Sequence, residues 1–223
     1  MKDYNKVDIN ELEQDMIIFF HAKDFDLVKY LLTSPKLIRH ADINTRHDYL
    51  FDHACMTDNL EFIKFILETP NLQRTVPLAA SCIKGIQHSA KRNHLEVLKY
   101  FEDNLKKAQG FISTPFYQTL MQDACASGSL DTFKYLTQKY CKLTDLNEKD
   151  YEKFSKQFQG NHISLIHYLI FDLNIPKTKY VEEFIEKSKI KDEINNLFQL
   201  RELNKNLNSE LPSLPTLNKK SKI

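Results

Sequence analysis

The residues best equipped for chemistry are eight histidines and four cysteines in a chain of 223 residues. Cys55, Cys82, Cys125 and Cys141 are separated by 27, 43 and 16 positions. No zinc site or CxxC redox pair has that spacing. His162 and His167 are five residues apart, whereas paired metal ligands on one helix face stand four apart. Cys82 and His88 would need an orienting third group and oxyanion donors to act as nucleophile and base. The sequence supplies neither. We therefore expect a non-enzymatic chain with no cofactor, no metal and no small-molecule substrate. The rival class is an enzyme of unknown chemistry built on a helical repeat scaffold.

Several of these residues obey a ruler instead. His53 and His88 are 35 positions apart, and Cys55 and Cys125 are 70 apart with Ala90 midway. Lys29, Lys64, Lys99 and Lys134 keep the same 35-residue step. Residues 93–101 read Asn-His-Leu-Glu-Val-Leu-Lys-Tyr-Phe, and residues 58–66 read Asp-Asn-Leu-Glu-Phe-Ile-Lys-Phe-Ile. Residues 23–31 and 128–136 repeat the pattern, and a weaker fifth copy opens at Ile163. Fixed-period self-similarity of this size marks a helical repeat array. On that reading the shared cysteine and histidine positions serve packing between copies. The four lysines should point to solvent on the outer face.

Each copy must then supply two short helices. The second opens on an apolar residue (Phe25, Leu60, Leu95, Leu130 or Ile163), and in four copies an acid follows (Asp26, Glu61, Glu96, Asp131). An acid there complements the helix dipole. Apolar residues recur at helical spacing. The opening leucines should be buried between copies, because so short a helix cannot bury its face alone. The pattern predicts helices over 9–21, 25–33, 47–56, 60–68, 78–91, 95–105, 116–126, 130–140, 151–158 and 163–173. Asp8 with Glu11 forms a capping box. Pro35 and Pro70, again 35 apart, close the second helices of the first two copies. The period stops after Pro176. Residues 178–206 read as one long or broken helix with an apolar face, suited to close the open end of a stack. The domain reading is 1–176 for about five repeats, 177–206 for a C-terminal capping helix and 207–223 for a disordered polar tail.

Composition narrows the rest. The chain holds four glycines and no tryptophan, with 31 basic against 30 acidic residues, a net charge of +1. Scarce glycine argues against a dinucleotide-binding design, and balanced charge argues against nucleic acid as partner. No apolar run approaches a membrane span or the core of a signal peptide. The expected setting is cytoplasmic, or a host cell if the protein is secreted as an effector.

The segments Ala-Cys-Met-Thr-Asp-Asn-Leu-Glu-Phe-Ile-Lys-Phe-Ile at 54–66 and Ser-Ala-Lys-Arg-Asn-His-Leu-Glu-Val-Leu-Lys-Tyr-Phe at 89–101 resemble the ankyrin repeat. That family's core reads Ala-Ala-x-x-Gly-His-Leu-Glu-Val-Val-Lys-Leu-Leu. Residues 124–136 match again, and His-Ala-Asp-Ile-Asn at 40–44 is similar to the family's loop. The family's Thr-Pro-Leu-His opening is missing. Its turn glycine survives as Gly128, with Lys23, Asp58 and Asn93 elsewhere. The resemblance implies an all-α helical repeat solenoid of stacked helix pairs with a C-terminal capping helix. It further implies that His94 bonds to loop backbone. It implies protein–protein interaction through a concave face and loops, with contacts at His21, Arg46, Asp48, Met56, Thr57, Lys91, Arg92 and Ser127. Lys91 and Arg92 favour a partner with an acidic patch. A bacterial effector, or a regulatory partner in a phage or bacterium, fits that class.

Overall fold

A computed structural model of the chain describes residues 2–70, 72, 77–107, 113–140 and 162–210. Every regular element among these residues is helical, with no strand. The chain divides into two compact units, Met1–Cys141 and Lys142–Ile223. The expected first helix of the fifth copy, 151–158, and the tail beyond residue 210 lie outside the described residues, as does Cys141.

The first unit opens with a 3-10 turn, Tyr4–Lys6, followed by four helix pairs. They are α1 (Ile9–His21) with α2 (Phe25–Thr33), α3 (Thr45–Met56) with α4 (Leu60–Glu68), α5 (Leu78–Arg92) with α6 (Leu95–Lys107), and α7 (Thr114–Ala126) with α8 (Leu130–Tyr140). The first helices pack side by side, α1 on α3, α3 on α5 and α5 on α7.

One turn, built four times, joins each pair. Lys23, Asp58, Asn93 and Gly128 have φ of 61°, 59°, 61° and 70°. The next amide reaches back to the helix just ended: Asp24 to Phe19, Asn59 to Ala54, His94 to Ser89 and Ser129 to Ala124, at 2.8–3.1 Å. This bond closes a left-handed helix cap and satisfies a carbonyl that would otherwise be orphaned. Only the fourth copy uses the residue that takes this conformation freely. The following helix is then capped from its side chain, by Asp24 on Leu27 N (3.2 Å) and Asn59 on Phe62 N (3.0 Å). Pro115 stands in the first turn of α7, where its missing N–H costs nothing.

The core follows the repeat. Ala54, Cys55, Ser89, Ala90, Ala124 and Cys125 have no exposed surface. Small residues there let the helices of a pair approach. In the first copy Phe20 takes the place of Cys55 and is buried against Phe25, His53 and Phe62, with ring centroids 5.6, 5.3 and 5.0 Å away. Leu60, Leu95 and Leu130 are only half-buried, contrary to expectation. They sit in the first turn, at the edge of the seam. Full burial falls one turn later, on Ile63, Leu98 and Phe133.

The third copy exchanges volumes. Leu50 and Ile66 in the second copy correspond to Gly85 and Phe101 in the third and to Leu120 and Leu136 in the fourth. A Cβ on Gly85 would lie 2.2 Å from the buried Phe101 ring. Phe101 in turn meets Phe51 edge-on at 5.8 Å.

In the second unit α9 (Ile163–His167) widens into a π turn, Tyr168–Asp172, and is followed by α10 (Lys179–Lys187) and α11 (Lys191–Glu210). The helix expected over 178–206 is therefore broken at 188–190, and it continues four residues into the expected tail. Leu165, Ile166, Leu169, Ile170, Ile175, Val181, Ile185, Ile194 and Phe198 form the core. Arg201 is buried beside it. Its guanidinium lies over the Phe198 ring at 4.8 Å and donates to the Ile175 carbonyl at 2.7 Å. It also reaches the Ile170 carbonyl inside the π turn at 3.5 Å, and so ties that turn to the segment after it. No described helix is long and apolar enough to cross a membrane.

Candidate functional site

The row of first helices carries six of the eight residues expected to meet a partner, and Arg46 at the start of α3 is one of them. The remaining two, Thr57 and Ser127, are the C-caps of α3 and α7. His21, Arg46, Thr57, Lys91, Arg92 and Ser127 are exposed, and Met56 is half-exposed. Asp48 is not a surface contact. It is 6 % exposed, with φ of 63°, and its Oδ1 finds no partner among the described residues. Arg46 also has a positive φ, 50°. The first turn of α3 is thus wound unlike a regular helix, which turns Asp48 inward. Thr45 fastens that turn to the previous copy, donating to Glu13 Oε2 at 2.8 Å.

Around this row the structure assembles an imidazole–phenol cluster that the repeat register only half disclosed. The Tyr49 hydroxyl and His21 Nε2 share a hydrogen bond of 2.9 Å. The His53 ring stands 5.1 Å from that of His21 and perpendicular to it. Burial, with the neighbouring His21 second, holds His53 below the usual histidine pKa. His88, one period on, is also held low by burial, against the pull of Asp52. Both rings are therefore neutral near pH 7 and offer one donor and one acceptor each. Beside them Asp52 accepts from Lys84 at 2.6 Å, and Lys91 pairs with Asp123 at 3.5 Å. Arg92 is exposed and has no ion pair among the described residues. The hydroxyls of Thr57 and Ser127 turn back onto carbonyls of their own helices, His53 O at 2.8 Å and Asp123 O at 2.9 Å.

Cys82 and His88 are not brought together. Cys82 is fully buried, and six residues along α5 place the two roughly 240° apart around the axis. Among the described residues no group of three His, Cys, Asp or Glu could hold a metal ion. His94 bonds the Cys55 carbonyl through Nδ1 at 3.1 Å, which ties the third pair to the end of α3. Of the aligned lysines Lys64 is exposed, as expected, and Lys29, Lys99 and Lys134 are half-buried. Lys29, Lys64 and Lys99 lie over the rings of Phe65, Tyr100 and Tyr135 at 5.7, 5.6 and 5.8 Å. Each ammonium covers an aromatic face one copy further on.

The reading by composition and period missed a second cluster. Glu102 on α6 is 2 % exposed. Its Oε2 accepts from the Tyr135 hydroxyl and the Lys139 ammonium, both at 2.6 Å, and its Oε1 from the Tyr140 hydroxyl at 2.7 Å. The Tyr140 ring stacks on Tyr117. Burial is the main cause that pushes the Tyr117, Tyr135 and Tyr140 hydroxyls above the usual tyrosine range. A sequence signal was present. At 35-residue steps the position reads Leu32, Leu67, Glu102, Thr137, so the acid stands where two earlier copies have leucine. Every acceptor oxygen is occupied and the donors are drawn inward, so the cluster fastens α6, α7 and α8 rather than presenting a reactive group.

No family model matches this chain, and neither a curated protein nor a solved structure matches it.

Proposed function

We propose that the first unit is a divergent ankyrin-like repeat module that binds another protein along α1, α3, α5 and α7, as an effector or a regulatory partner would. The observation that carries this reading is the four-fold left-handed turn on a 35-residue step. It makes the helix pairs equivalent and sets the same positions of successive first helices in a row. That row half-exposes the imidazoles of His53 and His88, a thioether and a phenol, and exposes Arg92, which has no ion pair among the described residues. Such a surface suits hydrogen-bonded recognition of a polypeptide. With Lys91 alongside, it favours a partner that brings carboxylates. Charges of this kind act chiefly on association rate and its salt dependence.

The test uses the full chain as bait and two charge-reversal pairs. Lys91→Glu with Arg92→Glu should lose the captured protein and slow its association at low salt. Lys64→Glu with Lys134→Glu should retain it. Loss with the second pair alone would refute binding along the first helices.

A further inference from the structure

On the reading that a partner lies along the first helices, the face it meets is graded from one end to the other. At 35-residue steps one column of that face reads Ile18, His53, His88 and Asp123. About one turn further along, the next reads His21, Met56, Lys91 and Ala126. Polar bonds between adjacent helices keep the face continuous. Thr45 bonds Glu13, Lys84 bonds Asp52 and Lys91 pairs with Asp123, with the same 32-residue step in each case.

The two halves of the face differ in kind. On α1 and α3 these columns carry no lysine, arginine or acid. Ile18 is 60 % exposed there, and His21, one turn on, has the Tyr49 ring 5.8 Å away. On α5 the sign is positive. Burial comes first in holding His88 below the usual histidine range. Of the charges that reach it, Lys84, Lys91 and Arg92 oppose its proton and Asp52 alone favours it. Lys84 and Lys91 are each paired with an acid. That leaves the exposed Arg92 guanidinium, with no ion pair among the described residues, to receive a carboxylate from outside. Asp123 closes the far end of the column, so an incoming carboxylate belongs on α5 and not one helix beyond. A nucleic acid fits poorly, because its evenly repeated phosphates would meet no cation in these columns of α1 and α3.

Helix packing sets the spacing. Neighbouring helices lie about 8–10 Å apart, so Ile18 on α1 stands roughly 16–20 Å from the α5 column. An extended polypeptide rises about 3.1–3.3 Å per residue and covers that span in about six residues. Six is a multiple both of the strand period, about two, and of the polyproline period, about three. Residues i and i+6 therefore face the same side in either conformation. One such group alone would let a segment slide along the row; two of different chemistry fix which residue meets which helix.

We propose that the row of first helices reads an extended segment of another protein that carries a large apolar side chain and a carboxylate six residues apart. The apolar group seats on Ile18 and the carboxylate on Arg92.

A phage-displayed library of random twelve-residue peptides, selected on the immobilised full chain, tests this. Enriched peptides should pair a large apolar residue with Asp or Glu six positions away. A synthetic peptide of the enriched sequence, followed by fluorescence anisotropy, should bind at least about tenfold more weakly to Ile18→Asp and to Arg92→Glu chains whose circular dichroism is unchanged. Moving its acid by three positions should cost as much. A selection that enriches nothing overturns the inference. So do peptides that lack this spacing yet still need Ile18 or Arg92, and that result leaves binding along the first helices standing. Binding that is indifferent to both changes, and lost when Lys64→Glu and Lys134→Glu are combined, overturns the first-helix reading as well.

Discussion

Two neighbouring seams use the same aromatic position and differ by one residue in the acid that meets it. Between the second and third pairs, the Tyr100 hydroxyl donates to Glu68 at 2.9 Å, and Glu68 is exposed. Between the third and fourth, the Tyr135 hydroxyl donates to Glu102 at 2.6 Å, and Glu102 is buried. In the repeat frame Glu68 corresponds to Asp103, so Glu102 lies one residue earlier. One residue is roughly 100° around a helix. That rotation carries the carboxylate from the rim into the seam, where it requires several donors to offset lost hydration. The first seam is held by apolar packing with a polar bond at its edge. The second is held by a polar network that has replaced a leucine.

Removing each acid separates the two seams most sharply. Glu102→Ala should destabilise the chain by about 3 kcal/mol, the lower end of the range for breaking a buried ion pair. Lys139 keeps 33 % of its side chain exposed and recovers some hydration. Glu68→Ala should cost below about 1 kcal/mol, as exposed pairs do. Urea unfolding of both variants measures the difference, and equal costs would mean that the Glu102 network contributes no more than a surface contact. Adding Tyr135→Phe and Tyr140→Phe to a Glu102→Leu chain should recover most of the loss, since the three side chains then become apolar and Lys139, a third exposed, turns to water.

Next in size is the apolar exchange behind the same seam. Gly85→Ala should cost about 1–3 kcal/mol, because Phe101 is fully enclosed and its ring cannot yield. Combined with Phe101→Leu, the residue of the fourth copy, it should cost less than the sum of the single changes. A thermal-unfolding double-mutant cycle reads the coupling. Strict additivity would place the strain elsewhere.

Alkali gives a smaller contrast. The Tyr135 and Tyr140 hydroxyls are held above the ordinary range, burial first and bonding within the Glu102 cluster next. The folded chain therefore keeps protons that the unfolded chain releases above about pH 10. Their contribution is fully present below that pH and is lost as pH rises toward the folded values. Tyr135→Phe with Tyr140→Phe should flatten the decline in stability above pH 10. Tyr100→Phe should flatten it less, since one raised tyrosine is removed rather than two. An unchanged slope in both would exclude tyrosine ionisation as its cause.

The smallest effects lie at the turns. Lys23 and Asn93 share one backbone conformation, at φ 61° in each. Lys23→Gly should stabilise by up to about 1 kcal/mol, the relief of a left-handed lysine offset by greater freedom in the unfolded chain. Asn93→Gly should instead destabilise by about 1 kcal/mol. Asn93 Oδ1 accepts from Asp131 N at 2.9 Å and Thr132 N at 3.0 Å, so it caps α8 in the next copy. Melting temperatures of opposite sign would establish this; a common sign would show the cap to be weak.

The period alone located most helices in the first unit, because a repeat states each element four times. A start signal such as Asp8 or Pro115 then fixed several ends to within a residue or two. The period also aligned Lys23, Asp58 and Asn93 with Gly128, and the ankyrin resemblance read that position as a turn, a conformation set by chain geometry rather than side chain. Local order along the chain sufficed for these.

The rest depended on contacts between copies, which a one-dimensional pattern does not carry. Asp48 looked like an exposed residue of a first helix, yet a positive φ turns it inward. The ruler of lysines looked solvated, yet three lie on rings 36 positions ahead. Glu102 was visible as an acid in a leucine column. Only the approach of Tyr135, Lys139 and Tyr140 from α8 showed that the charge was met. Periodicity determines which residues share a position, because helix geometry is local. Whether a polar group at that position is buried, paired or exposed is settled by the neighbouring copy, whose distance and side chains exist only after the helices have packed.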